Sequence, residues 1–293
     1  QDLIYSLNGT DFYPYIRYLF AKRLSTKLKD KNLKVISWCE YQVTDKNFFR
    51  GLKDHSTKVK IYATQFVFKM PTYVCQYIAD TDKSLNTAPD VILVTGKGYV
   101  PAKSSYIYRI GPALRYSQLY KSTYSLNNTN GIIVMLPYVQ DDAFNIINVL
   151  KKDDAFKNMH IDFKIHPDYI SEKSNYLSLL ENNWKLIETN PDTSHYSMVI
   201  SSGSGSMVEM VCLGISAIII ASKTSFTSNP MPNIGWKENW DIVNDNEELI
   251  HAYNRLLEFR TTNIQQFEKN ILILRDYVLS EVSDLKIKEN FDF

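Results

Sequence analysis

The chain has 293 residues, room for one large domain or two of roughly 130–150 each at the usual ~100–200 residues per domain. Apolar types make up 44% and charged types 22%, which excludes a disordered chain. With 33 Lys plus Arg against 32 Asp plus Glu, the net charge of +1 supplies no global field for nucleic acid, and no nucleic-acid partner is expected. Three cysteines (Cys39, Cys75, Cys212) exclude a disulfide scaffold and a cysteine-based zinc motif, and they suit a reducing compartment. No apolar run approaches the ~20 residues of a membrane span. No basic segment followed by an apolar stretch opens the chain, so no signal peptide is expected. Twenty Tyr and fourteen Phe offer flat faces for stacking on sugar or base rings, although AT-rich coding is the plainer explanation.

Residues Tyr13–Leu28 place apolar and aromatic side chains at helical spacing between basic ones, which predicts an amphipathic helix. Leu33–Ser37, Val59–Ala63, Val91–Thr95 and Tyr106–Ile110 are β-branched or aromatic runs of strand length, mostly separated by helix-compatible stretches. Lys121–Gly131 is polar, rich in Ser, Asn and Thr, and reads as a linker. The alternation then restarts with strand Ile132–Leu136, helix Asp141–Leu150, strand Ile161–Ile165, helix Ser171–Asn182, strand Met198–Ser201, helix Met207–Leu213 and strand Ala217–Ile220. Glu247–Lys288 is helical by period. The expectation is an α/β protein of two Rossmann-like doubly wound domains facing a cleft, residues 1–125 and 131–264. A C-terminal helix from 265–293 completes the first domain.

Phe163-Lys164-Ile165-His166-Pro167-Asp168 ends a strand at His166, where Pro167 fixes the exit direction. An imidazole at the carboxyl edge of a parallel sheet is placed to neutralise a leaving phosphate or to act as general acid. Next, Val199-Ile200-Ser201-Ser202-Gly203-Ser204-Gly205-Ser206 is a strand running into a small hydroxylated loop before a helix. Such a loop cradles phosphate through its hydroxyls and free N–H groups, and it reads equally well as a flexible Ser/Gly loop. It lacks the Gly-Lys-Ser/Thr of a P-loop, the third glycine of the dinucleotide fingerprint, and the Gly-x-Ser-x-Gly of a nucleophile elbow. Glu209 suits two ribose hydroxyls, or is a solvated first-turn carboxylate favoured by the helix dipole.

His-Pro at a strand end, a Ser-rich strand-to-helix loop, then Glu and a downstream Gly-x-x-x-Ile resemble the donor-binding half of glycosyltransferase-B enzymes. The pattern is most similar to bacterial transferases using CMP-activated acidic sugars, the sialyltransferase and Kdo transferase type of capsule and lipopolysaccharide synthesis. The resemblance covers residues 131–245. It implies that His166, Ser201, Ser202 and Ser204 contact the CMP phosphate, and less specifically that Glu209 contacts ribose. It also implies a cytoplasmic enzyme of polysaccharide biosynthesis, at the inner face of the inner membrane if its acceptor is lipid-linked, with any membrane association peripheral.

In the first half, Glu40-Tyr41-Gln42 and Tyr62-Ala63-Thr64-Gln65 end strands and are similar to the Glu-x-Gln and Tyr-x-x-Gln stretches of bacterial surface-carbohydrate proteins. The acidic base motif of the sialyltransferases is missing here. An acceptor hydroxyl must still lose a proton in an inverting route, which makes Glu40 the first candidate base and Asp11 the second. Each reads as well as a cap or loop charge. Arg109 and Arg115 are candidates for binding substrate carboxylate or phosphate, with Gln65 beside them. No Asp-x-Asp stands where a divalent metal would be needed, so the expectation is metal-independent transfer of an acidic keto-sugar to a glycan, without cofactor. A CDP-polyol phosphotransferase of teichoic-acid type and a sugar-nucleotide epimerase are the alternatives.

Overall fold

A computed structural model describes residues 12–73, 76–124, 126, 130–189 and 192–293. The chain separates into two units, one of residues 1–67, 73–120 and 277–293, the other of 68–72 and 121–276. Asp11 lies outside the described residues.

Among the described residues the first unit runs helix α1 (Phe12–Lys27), β1 (Leu33–Trp38), α2 (Val43–Lys53), β2 (Val59–Gln65), β3 (Val91–Val94) and β4 (Ile107–Ile110). The four strands are parallel, in the order β1-β2-β3-β4. Right-handed crossovers that always step the same way send their connections to one face of a sheet. The face carrying Lys34, Lys60, Tyr62, Val91, Leu93 and Arg109 receives the end of the chain instead. There the last helix buries Phe291 against Tyr62, Phe66, Val91 and Leu93, with the Tyr62 and Phe291 rings edge to face at 5.9 Å. Thr95 Oγ1 donates to Val278 O at 2.9 Å and fixes where the returning segment enters.

Asp292 closes that attachment. It accepts from Lys60 Nζ at 2.7 Å, Tyr62 Oη at 2.6 Å and Arg109 Nη1 at 2.8 Å, which hold its carboxyl well below the usual carboxylate range. A depressed acid stabilises the fold above its unfolded value of about 3.9 and loses that contribution as pH falls. Asp292→Asn is therefore expected to flatten the acid limb of a stability-against-pH curve measured by urea melts. An unchanged acid limb would remove the triad from the account.

The second unit runs β5 (Gly131–Met135), α3 (Gln140–Leu150), β6 (Ile161–Lys164), β7 (Trp184–Ile187), β8 (Tyr196–Ser201), α4 (Ser206–Cys212), β9 (Ser216–Ile220), β10 (Trp240–Val243), α5 (Asn246–Thr262) and α6 (Ile264–Val278). The final helix α7 (Asp284–Phe291) is the one docked on the first unit. All six strands are parallel, in the order β10-β9-β8-β5-β6-β7. The chain builds outward from β5 in one direction, then returns to β8 and builds in the other, which is a doubly wound sheet. Its neighbouring inner strands β8 and β9 are buried along their whole length. Ile146, Ile147 and Leu150 of α3 and Leu249, Ala252 and Leu256 of α5 pack in the same core.

Three sequence expectations are corrected. The helix expected over Ser171–Asn182 is a 3₁₀ turn, Pro167–Glu172, and one further turn, Lys173–Leu177. Ser174, Asn175 and Ser178 carry too little helix propensity to extend it. The helix expected over Glu247–Lys288 is three helices, broken at Asn263 and again before Ser283, whose hydroxyl caps α7 by accepting from Lys286 N. Strands β7 and β10 are additions, one at each edge of the six-stranded sheet.

Candidate functional site at the carboxyl edges of the sheets

In the second unit, strand order reverses between β5 and β8, so the loops leaving those strands diverge and open a crevice at the sheet's carboxyl edge. His166 follows β6 and Ser202–Ser204 follow β8. Only β5 separates the two strands, so their ends stand roughly 10 Å apart at the ~4.8 Å strand spacing. That span suits a phosphate and its sugar.

His166 is the N-cap of the turn begun by Pro167, its Nδ1 accepting from Asp168 N at 3.3 Å. With Nδ1 an acceptor, the neutral imidazole carries its proton on Nε2. Tyr138, at the end of β5, meets the imidazole edge to face at 5.4 Å, and Tyr169 flanks it at 6.2 Å. The ring is thus oriented by a cap and two aromatics while remaining one-third exposed.

The serines divide in role. Ser201 is buried and donates to Met135 O at 2.6 Å, tying β8 to β5 rather than facing solvent. Ser202 is also buried, its hydroxyl 3.5 Å from Asp142 Oδ2 at the start of α3, across the reversal point. Ser204 is half-buried and pairs with Ser206, the two hydroxyls 2.6 Å apart. Gly203 has φ +50, and a Cβ there would stand 2.7 Å from Ser228 Cβ, so only glycine fits both the backbone and the contact. Glu209 is half-buried on α4. Sequence reasoning missed Tyr138 and Asp142, which follow β5, and Ser228 and Phe226 in the loop after β9, where Phe226 is 89% exposed. Thr72 reaches the same loop, its hydroxyl 3.4 Å from Ser228 Oγ. Their common signal, a carboxyl-edge position, becomes visible only once the strand order is known.

At the carboxyl edge of the first sheet the structure joins two residues far apart in sequence. Arg115 lies over the Trp38 ring at 5.5 Å, and Trp38 Nε1 donates to Glu40 Oε1 at 3.0 Å. The following residue, Tyr41, is held at φ 57, an uncommon conformation for a bulky side chain. Asp45 Oδ2 accepts from both Glu40 N and Gln42 N and so fixes this turn, and burial, the largest influence on it, pushes its carboxyl pKa up. Gln65 at the end of β2 is buried and donates to Gln76 O, but its Oε1 has no hydrogen-bond partner. An unmet buried acceptor costs about 1–3 kcal/mol. Arg109 departs from expectation: its guanidinium is engaged by Asn290 O and Asp292 at the end of α7, because period-two alternation aims it at the face that α7 covers. Among the described residues there is no group of three or more His, Cys, Asp or Glu side chains able to hold a metal ion.

Taken together, the two parallel α/β units define a fold of the glycosyltransferase-B type. Acinetobacter baumannii MurG superposes with a TM-score of 0.55 at 10% identity, over 94% of this chain and 79% of that one. A candidate UDP-N-acetylglucosamine 2-epimerase from Listeria monocytogenes gives 0.50 at 10%, over 87% of this chain and 71% of that one. The pneumococcal O-GlcNAc transferase GtfA, in complex with UDP and GlcNAc, gives 0.50 at 10%, over 92% of this chain and 57% of that one. No protein-family model matches the sequence, and no curated protein does.

Proposed function

We propose that this chain is a glycosyltransferase that takes a sugar from a nucleotide donor and transfers it to a glycan acceptor. The observation that carries the reading is the pairing of His166 and the Ser202–Ser204 loop on either side of β5, where the second sheet reverses its order. His166 Nε2 donates to the departing phosphate, and Ser202 and Ser204 add hydroxyls to it. Charge that develops on the leaving nucleotide is met by donors already in place, a large contribution in group transfer. Glu209 is assigned to ribose. Glu40 is carried forward as the base, with Arg115 and Gln65 as its companions on the first sheet, because Trp38 orients its carboxylate. Ser201 is assigned to the loop's foundation, and Arg109 to the attachment of α7 rather than to substrate.

For the donor, the His-Pro and Ser-loop pattern supports a CMP-activated acidic keto-sugar, whereas the neighbour solved with UDP supports a UDP-sugar. A thermal-shift comparison of the intact protein with CMP, UDP and CDP-glycerol separates them. A ligand at ~100 times its Kd stabilises by about 2.7 kcal/mol, a shift of several degrees for a chain of this size. The expected order is CMP first. A larger shift with UDP moves the donor to UDP-sugars, a larger shift with CDP-glycerol moves the reaction to polyol-phosphate transfer, and no shift with any of them sinks the nucleotide site. The Listeria neighbour supports a second reading, epimerisation. In that case donor is converted without acceptor and without release of free nucleotide.

A further inference from the structure

The connection from β9 to β10 carries a side chain that the carboxyl-edge site does not use. Trp236 lies just before β10 and its backbone bridges Trp240, the first residue of that strand. All six strands are parallel, so this end of β10 is the amino edge of the sheet, opposite the edge that bears His166 and the serine loop. A single half-exposed aromatic is ordinary on a protein surface, but Trp236 is held with unusual firmness. Its Nε1 donates to Asp241 Oδ1 at 3.0 Å. Asp241 is itself buried and is also engaged by Arg255, whose Nε donates to Lys237 O at 3.2 Å.

The backbone around Trp236 is equally fixed. Glu238 N and Asn239 N donate to Gly235 O, and Lys237 N donates to Trp240 O. Gly235 (φ +67) and Lys237 (φ 64) both take the left-handed conformation, and a Cβ on Gly235 would stand 2.7 Å from Asn239 Oδ1. Asn270 of α6 pins the turn from below, its Nδ2 donating to Asn239 Oδ1 at 2.7 Å and to Glu238 Oε2 at 2.6 Å. The indole is thus presented to solvent in one orientation, with little ordering entropy left to lose on binding. Asn270 also links the turn to a groove. Its Oδ1 accepts from Gln266 Nε2 at 2.9 Å, and Gln266 lines a shallow groove of about 530 Å³ with Thr262, Asn263, Ile264, Gln265 and Lys269. Five of these six side chains carry amide, hydroxyl or ammonium groups, a lining for a polyhydroxylated ligand rather than an apolar one.

We propose that the Trp236 turn and the groove joined to it bind an anionic saccharide, one sugar ring stacked on the indole and the acidic groups held by Lys237 and Lys269. A pyranose ring has an apolar C–H face and a hydroxyl rim, which matches an aromatic face set among polar side chains. Lys237 Nζ rests over the Trp236 ring at 5.1 Å on a flexible stem that an entering sugar displaces toward its own carboxylate. Lys237 and Lys269 are exposed, whereas the neighbouring carboxylates of Asp241 and Glu238 are already engaged by Trp236, Arg255 and Asn270. A protein partner is less favoured, because a standard interface takes about 800 Å² per side around an apolar core, and Trp236 stands among Asn233, Lys237 and Glu238. The inference does not rest on the carboxyl-edge reading.

The test is calorimetric titration of the intact protein, without donor, with hexagalacturonate and with maltohexaose, each at low and high salt. Tighter binding of the anionic oligomer, weakened by salt and accompanied by protection of tryptophan fluorescence from acrylamide quenching, is expected. Trp236→Ala should weaken it about ten-fold or more, the scale for truncating a central aromatic. Lys237→Asn with Lys269→Gln should remove the salt dependence, asparagine being tolerant of the left-handed backbone. Asp241 keeps Ile242 N and Arg255 as partners when Trp236 is removed, so an unchanged melting curve checks the fold. His166→Ala should bind the oligomer as the parent does, which separates this result from the fate of the transfer reading. No binding of the anionic oligomer, equal binding of the neutral one, full binding by Trp236→Ala, loss of binding in His166→Ala, or a dimer in sedimentation that Trp236→Ala dissolves would each overturn the proposal.

Discussion

Replacing His166 with alanine is expected to lower kcat for transfer by about 10²–10³-fold, the scale seen when one preorganised donor to developing charge is removed. The melting curve should move little. His166 is one-third exposed, and its structural duties are a cap to Asp168 N and ring contacts with Tyr138 and Tyr169. Losing an N-cap costs about 1 kcal/mol. His166→Asn separates the two roles, because an asparagine oxygen still accepts from Asp168 N while no imidazole remains to serve the phosphate. Alanine and asparagine should therefore be equally slow in a steady-state assay with saturating donor. If asparagine restores the rate, His166 is a cap and the phosphate assignment is lost.

Phe291→Ala should have the largest effect on stability, about 3–5 kcal/mol in the unfolding transition of the first unit. Phe291 is buried against Tyr62, Phe66, Val91 and Leu93 on a sheet face that the unit's own crossovers leave uncovered. Losing that ring removes the apolar part of the attachment and leaves Asp292 with Lys60, Tyr62 and Arg109 as a mostly solvent-screened cluster. Urea melts followed by Tyr and Trp fluorescence, with limited proteolysis of the tail, read both consequences. A wild-type midpoint together with an intact tail would mean that α7 is an appendage rather than part of the first unit's core.

The two sites differ in how legible they were. His166 and the serine loop stood out because a strand end followed by proline, and a strand followed by small hydroxylated residues, are local patterns. Local backbone chemistry fixes them wherever they fall in a fold. The partners Tyr138 and Asp142 carry no such signature. They matter because β5 lies between β6 and β8, and strand order is a long-range property that no window of sequence contains. Arg109 shows the opposite failure. Its guanidinium suited a substrate carboxylate or phosphate, yet a segment 180 residues later occupies it.

By itself the sequence determined the α/β class, the positions of most strands and the local shape of the phosphate-binding candidates, since hydrophobic period and turn chemistry act over a few residues. Tertiary structure alone decided the return of α7 to the first sheet and the link from Arg115 through Trp38 to Glu40. Each of these is set by which surfaces remain uncovered after the sheets form. Burial is a property of the whole packed chain, which no local window of sequence contains.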